Sequence, residues 1–194
     1  MKRTLITCVI AVVLFTAVFG LVYPLLFTGV SQVVFPGASN GSKIMRDGKL
    51  VGSKLIAQDF KRNPRYFQPR PSQTGYSPST TFFSNLGPNS TDASAEVRKN
   101  IAAYLRMERR YDPGLTAAAI PADAVTQSAS GVDPDISKSN AAIQAHRIAA
   151  VRHLPMATVN KLIAEHTDGR FLGIFGEPGV NVLELNLALD GQGR

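Results

Sequence analysis

An uncharged apolar run near the N-terminus constrains this chain more than any other feature. Residues 4–42 contain no charged side chain, and Leu5 to Phe27 are almost all apolar. A helix of that length covers the roughly 30 Å hydrocarbon core of a bilayer. A cleaved signal peptide is the alternative, but the run is longer than its usual apolar region and no clear cleavage site follows. We therefore predict an uncleaved transmembrane anchor within residues 1–28.

The charges on either side of this run predict its orientation. Lys2 and Arg3 precede it, and no basic residue follows before Lys43. Because positive residues favour the cytoplasmic side, we expect the N-terminus in the cytoplasm and the rest of the chain outside. The net charge of +7 comes from scattered basic residues that rarely alternate with aromatic ones. We interpret it as a solvated basic surface and expect no nucleic acid partner.

The remainder of the chain predicts one mixed domain of the α+β class. Residues 29–42 pass from apolar to small polar side chains and are interpreted as a linker, and residues 43–194 as the extracytoplasmic domain. Asp47-Gly48 between two apolar-flanked runs predicts a β-hairpin, because a tight type I′ turn needs positive φ at both positions. Residues 68–91 are rich in Pro, Ser, Thr, Asn and Gly, which predicts a long loop.

Periodicity predicts three helices and a strand in this domain. The helices are expected over Asp92–Tyr111, from an N-cap at Ser137 to His153, and from Pro155 to Asp168-Gly169. Leucines at every second position from 183 to 189 predict a half-buried strand over Val180–Asp190.

No motif for phosphate binding or catalysis is present. The sequence lacks a P-loop, a dinucleotide-binding glycine pattern and a nucleophile elbow, and its histidines lack zinc spacing. Asp133 and Asp135 begin like a calcium loop, but Lys138 and Gln144 stand where its Gly and bidentate Glu belong. We therefore expect no catalytic residue and no metal site.

The most unusual polar stretch is Pro121 to Ser137, which suits neither a helix nor a regular strand. It is either an ordered turn whose Asp and Ser side chains cap backbone amides, or a rigid loop that contacts a partner. The residues alone leave both interpretations open.

Several motifs together resemble the C subunit of the bacterial potassium-transporting ATPase, the KdpC family. They lie, in the family's order, at Gly52–Gln58, Arg70–Ser72, Val125–Ser137, Ala141–Arg147 and Gly176–Asp190. The resemblance covers essentially the whole chain. It implies a non-catalytic subunit of an inner-membrane complex, which raises the ATP affinity of the ATPase subunit as a catalytic chaperone.

The resemblance also implies partners and site residues. The partners are a channel-like potassium-translocating subunit (KdpA), a P-type ATPase subunit (KdpB), a very small membrane subunit (KdpF) and the lipid bilayer. This chain alone is expected to bind no cofactor, since the complex handles ATP and potassium. Gln144 is the position that carries over for a nucleotide-related role. Candidates for partner contact or loop shaping are Arg70, Ser72, Ser128, Ser130, Gly131 and Asp133.

Location creates a tension with a direct role in ATP binding. The domain is predicted outside, whereas cellular ATP is inside, so we expect the domain to brace the channel-like subunit and to affect ATP indirectly. The alternative hypothesis is a membrane-anchored outer-face binding domain unrelated to transport.

Overall fold

The computed structural model describes residues 2–192, and the chain divides into two units, Met1–Val51 and Gly52–Arg194. The first unit begins with a continuous helix over Lys2–Val34 that is long and apolar enough to cross a membrane. Its segments are α1 (Lys2–Ala17), a π-helical turn (Val18–Val22) and α2 (Tyr23–Val34). The wide turn precedes Pro24, which lacks the N–H that would continue the regular pattern. The predicted apolar helix of span-like length is confirmed.

The helix continues past residue 28, so the segment predicted as a linker begins inside it. A short helix, α3 (Pro36–Ser39), follows, and then strands β1 (Lys43–Arg46) and β2 (Lys49–Ser53) pair with each other. Asp47 and Gly48 have φ values of 51° and 74°. The hairpin predicted from these two residues is therefore confirmed.

Besides two short 3₁₀ helices, Ala117–Ala119 and Ala122–Ala124, the described part of the second unit combines four α-helices with a small sheet. In chain order these are α4 (Thr91–Glu108), β3 (Asp135–Ile136), α5 (Lys138–Arg152), α6 (Met156–Glu165), β4 (Thr167–Asp168), β5 (Gly179–Asn181) and α7 (Val182–Gly191). The sheet has the order β3-β5-β4, and both pairings are antiparallel. With β1, β2 and the helices, it confirms the α+β class.

The three predicted helices form, and their ends follow local chemistry. Ser90 caps α4 by accepting a hydrogen bond from the Ala93 amide, and Ser137 caps α5 by accepting one from Asn140. His153 ends α5 in the left-handed conformation with a φ of 56°. Pro155 is the N-cap of α6, which ends at Glu165 because Thr167 and Asp168 pair with β5.

The prediction of a strand over Val180–Asp190 is wrong. Only Gly179–Asn181 is a strand, and α7 follows it directly, because the Asn181 side chain caps the helix by accepting from the Glu184 amide. Leu183 and Leu187 lie one helical turn apart, as do Leu185 and Leu189. The alternating leucines therefore form two rows on nearly opposite sides of the helix, because residues two positions apart differ by about 200° around its axis, whereas the same spacing would place all four on one face of a strand.

The core lies where α5, α6 and α7 meet the sheet. Its fully buried members include Phe67, Ile136, Ala145, Ile148, Val159, Val180, Leu185 and Leu189. Phe67 comes from the irregular segment before α4, so this segment is anchored in the core.

Candidate functional site

Residues 64–72 form an irregular segment that begins in a turn and belongs to no helix or sheet. Pro64, Pro69 and Pro71 prevent helix formation, because each lacks an amide donor and restricts the residue before it. Phe67 is nevertheless fully buried. Buried backbone amides and carbonyls need hydrogen-bond partners, so this segment must find them in side chains.

Two buried amide side chains supply those partners. The Phe67 amide donates to Asn186 Oδ1 (2.8 Å), and Asn186 Nδ2 donates to the Phe67 carbonyl (2.9 Å). The Gln68 amide donates to Gln144 Oε1 (2.7 Å), and Gln144 Nε2 donates to the Gln68 carbonyl (3.1 Å). Each side chain thus imitates one rung of a β-ladder. We call this pair, Gln144 from α5 and Asn186 from α7, the amide clamp.

The Gln144 amide makes four hydrogen bonds within the domain. Besides its two bonds to Gln68, its Oε1 accepts from Arg147 Nη2 (2.8 Å) and its Nε2 donates to Asn140 Oδ1 (2.9 Å). A carboxamide offers two donors and two acceptor lone pairs. All of them are used here, and the residue is 1% exposed.

A buried ion pair between Arg147 and Glu108 also supports residues 64–72. Arg147 Nε lies 2.9 and 3.1 Å from the two oxygens of Glu108, and both residues are at most 1% exposed. Arg147 Nη1 also donates to the carbonyls of Pro64 and Tyr66. Burial raises the pKa of Glu108, and the charge of Arg147 opposes that shift. Breaking such a pair leaves an uncompensated buried charge, at a cost of about 3–5 kcal/mol.

A cavity of about 550 Å³ opens beside the clamp. Its lining includes three arginines, two tyrosines and one amide of the clamp: Arg62, Arg106, Arg110, Tyr76, Tyr104 and Gln144. No acidic side chain lines it among the described residues. Burial raises the pKa of Tyr76 to about 12, so its hydroxyl is neutral at ordinary pH. The cavity is therefore positively charged, while its Gln144 wall is already hydrogen-bonded.

The candidate residues of the polar loop, residues 125–137, converge on the end of the clamped segment. Arg70 Nη1 lies 2.9 Å from Asp133 Oδ2, and Arg70 Nη2 donates to the Gln127 carbonyl (3.2 Å). Ser72 Oγ donates to the Gly131 carbonyl (2.6 Å). The structure thus brings Arg70 and Ser72 to the polar loop, although about 60 positions of sequence separate them.

The serines and Asp133 also fold the loop on itself. The Gly131 amide donates to Ser128 Oγ (2.8 Å), the Val132 amide to Ser130 Oγ (3.2 Å), and the Asp135 amide to Asp133 Oδ1 (3.1 Å). Gly131 has a φ of 74°, and a Cβ there would lie 2.8 Å from Thr74 Oγ1. These bonds support the loop-shaping interpretation, and partner contact stays a prediction.

Sequence reasoning did not identify several members of the buried network. These are the buried residues Glu108, Asn140, Arg147 and Asn186, and the half-buried Asp123, whose carboxylate accepts from the Ser137 amide and from Asn140 Nδ2. One signal was available, since Asn140, Gln144 and Arg147 occur at the i, i+4, i+7 spacing of a single helix face. Within the part of the chain that the structure describes, no group of His, Cys, Asp or Glu is placed to hold a metal ion.

Comparison with known proteins gives consistent matches. The family described as "KdpC: K+-transporting ATPase, c chain" matches residues 5–191. The potassium-transporting ATPase KdpC subunit of Beijerinckia indica is 48% identical, over 93% of this chain and 90% of its own. That of Dechloromonas aromatica is 48% identical over 98% of both chains. That of Mycobacterium tuberculosis is 44% identical over 98% of this chain and 99% of its own.

Proposed function

Because this chain belongs to the KdpC family, the c chain of the K+-transporting ATPase, we propose that it is a non-catalytic accessory subunit of a high-affinity, ATP-driven potassium uptake complex. Its proposed partners are the channel-like subunit KdpA, the P-type ATPase subunit KdpB and the small subunit KdpF, in the inner membrane. The family match favours this function over a binding domain unrelated to transport.

The hydrogen bonds that fix the polar loop support a more specific proposal, that this loop docks on the channel-like subunit. Arg70 and Ser72 hold the loop from outside, while Ser128, Ser130 and Asp133 hold it from within. Most of its residues remain half-buried or exposed at the surface. A preformed surface loses little conformational freedom on binding, which favours affinity. The loop is thus suited to dock on the channel-like subunit and brace it.

An effect on ATP affinity would then be indirect. The Gln144 amide has no unused donor or acceptor, so a direct nucleotide contact would have to break bonds to Gln68, Asn140 or Arg147. We propose that Gln144 acts through the shape of residues 64–72, and hence through the polar loop that rests on them.

Substitution of Asp133 tests this docking surface. Asp133→Ala removes a loop cap and a half-exposed ion pair, which together should cost about 1–2 kcal/mol of a stability typically several times larger. We expect the full chain to stay folded but to recover less of the ATPase complex when used as bait in co-purification. Asp133→Asn retains an oxygen for the Asp135 amide and tests the charge alone.

Asp59→Ala is the matched control. Asp59 accepts a bond from the amide two residues on, that of Lys61 (2.7 Å), but lies in an exposed turn outside the polar loop. We expect normal recovery of the complex with this variant. If the Asp133→Ala chain unfolds, or if it assembles as well as the control, the loop is only a structural cap.

A further inference from the structure

Residues 171–175, here called the apolar tip, expose four large apolar side chains in the second unit. The exposed fractions are 71% for Phe171, 73% for Leu172, 71% for Ile174 and 61% for Phe175. Elsewhere in this unit, large apolar side chains described as exposed occur singly, at positions 55, 82 and 86. An exposed apolar patch of this kind usually marks a surface that binds a membrane or another protein.

The apolar tip is an ordered turn. The Phe171 amide donates to the Phe175 carbonyl (2.8 Å), and the Phe175 amide donates back to Phe171 (2.9 Å). Leu172 and Gly173 have φ values of 52° and 76°. Gly suits such a position, but a leucine with positive φ is disfavoured. The turn therefore displays a large apolar side chain where a small polar residue would be the easier choice.

Most backbone amides of the tip have partners within the turn. Besides Phe171 and Phe175, the amides of Gly173 and Ile174 donate to carbonyls of the same turn (3.0 and 3.2 Å). Backbone groups that enter lipid need such internal partners, because no water is available there. The nearest charged side chains, Arg170 and Glu177, pair with each other at the base of the turn (2.8 Å). Four of the five tip amides are thus satisfied and no charge lies within the tip, while within the described part of the chain the Leu172 amide and the carbonyls of residues 172–174 stay free to bond to the hydrated headgroups.

The same chain carries an apolar helix of membrane-spanning length, Lys2–Val34. Because the tip and the helix belong to one chain, a bilayer that holds the helix raises the effective concentration of lipid around the tip, which strengthens insertion where the connecting chain lets both contacts form. We propose that the apolar tip inserts into the headgroup–acyl boundary of the bilayer that holds this helix, and that the chain thus contacts the membrane at two places. This inference rests on the membrane anchor and not on docking to the ATPase subunits.

Fluorescence quenching in vesicles tests the proposal. The chain contains one cysteine, Cys8, so Cys8→Ser gives a background in which Leu172→Cys can carry an environment-sensitive label. The full chain is placed in vesicles of phosphatidylethanolamine and phosphatidylglycerol, with and without lipids that carry a quencher at the headgroup–acyl boundary. We expect a blue-shifted emission and a loss of fluorescence with the quencher. Ile174→Cys repeats the measurement at a second tip position.

Thr80→Cys is the matched control, since Thr80 is exposed and lies in the long loop that precedes α4 in the same unit. Its label should keep the emission of a water-exposed probe and should not be quenched. Equal behaviour of the tip and control labels overturns the proposal. So does a tip label that lipid does not quench but that the assembled ATPase complex shields, because a protein partner then covers the tip.

Discussion

At the residue scale, two amide side chains make the backbone hydrogen bonds that a neighbouring β-strand would otherwise provide. Phe67 and Gln68 lie in a proline-rich segment that cannot join the sheet, and their backbone groups pair with Asn186 and Gln144. The two residues are held from two different helices, because Asn186 belongs to α7 and Gln144 to α5. Removing either one leaves a buried amide and a buried carbonyl without partners.

The two halves of the clamp permit a test of how Gln144 acts. Gln144→Ala and Asn186→Ala should each lower the free energy of unfolding of the full chain by about 2–3 kcal/mol. If Gln144 acts through the clamped segment, both variants should also weaken the ATP affinity of the assembled complex. Denaturant unfolding and the ATP dependence of hydrolysis by the complex measure the two effects.

Gln192→Ala is the control, because this amide is exposed at the end of α7 and should change neither quantity. Asn186 does not line the cavity, whereas Gln144 does. Weakened ATP affinity in Gln144→Ala with no effect of Asn186→Ala would therefore show that Gln144 meets the nucleotide directly.

At the element scale, the short β3–β5 pair includes a carboxyl group in an unfavourable environment. Asp135 is half-buried, pairs in register with Asn181 and accepts a bond from its Nδ2 (3.1 Å). Burial raises the pKa of Asp135, and the neighbouring Asp133 adds to this shift. The protonated form is therefore favoured in the folded state relative to the unfolded chain.

This shift predicts a pH dependence. Because the folded pKa of Asp135 is raised, the stability that this group contributes is present below its unfolded pKa of about 4 and is lost as pH rises through the folded pKa. Asp135→Asn keeps an acceptor for Asn181 and removes the titration. Between about pH 4 and pH 7, the free energy of unfolding of this variant should therefore increase relative to that of the original chain. Parallel stability curves over that range would contradict this account of the β3–β5 pair.

The element scale is also where the prediction from sequence failed. The sequence of α7 satisfies both a strand and a helix pattern, and the choice between them depends on Asn181. This residue ends β5 and caps α7, and its Nδ2 also donates to the Lys54 carbonyl (2.9 Å). The Asn181 cap on the Glu184 amide is itself a local signal for a helix start, but the alternating leucines matched the strand pattern more closely; only the bond to Lys54 required the folded chain.

At the scale of the whole molecule, the orientation of the chain in the membrane stays a prediction. Lys2 and Arg3 precede the apolar helix, and the next basic residue is Lys43, so we expect the N-terminus in the cytoplasm and the domain outside. A reporter enzyme that is active only outside the cytoplasm should be active when fused after Ser42, and one that is active only in the cytoplasm should be inactive there. Activity of a cytoplasm-dependent reporter at that position would reverse the orientation, and with it the argument for an indirect effect on ATP.

The sequence by itself determined those features that depend on neighbouring residues. The apolar helix follows from a continuous run of side chains, the hairpin from the φ preferences of Asp47-Gly48, and the start of α5 from the Ser137 side chain. The shape of the polar loop is local in the same sense, because its Ser and Asp side chains bond to amides two or three positions away, although its candidate residues were named with the help of the family resemblance.

Only the tertiary structure decided the rest of the site. The bonds of Gln144 to Gln68 span 76 positions, and those of Asn186 to Phe67 span 119. The partner of Arg147, Glu108, lies 39 positions away. Polar residues like these are usually exposed, so their types alone predict a solvated surface. They become buried because each finds a partner that satisfies its hydrogen bonds or charge, and only the folded chain brings those partners together.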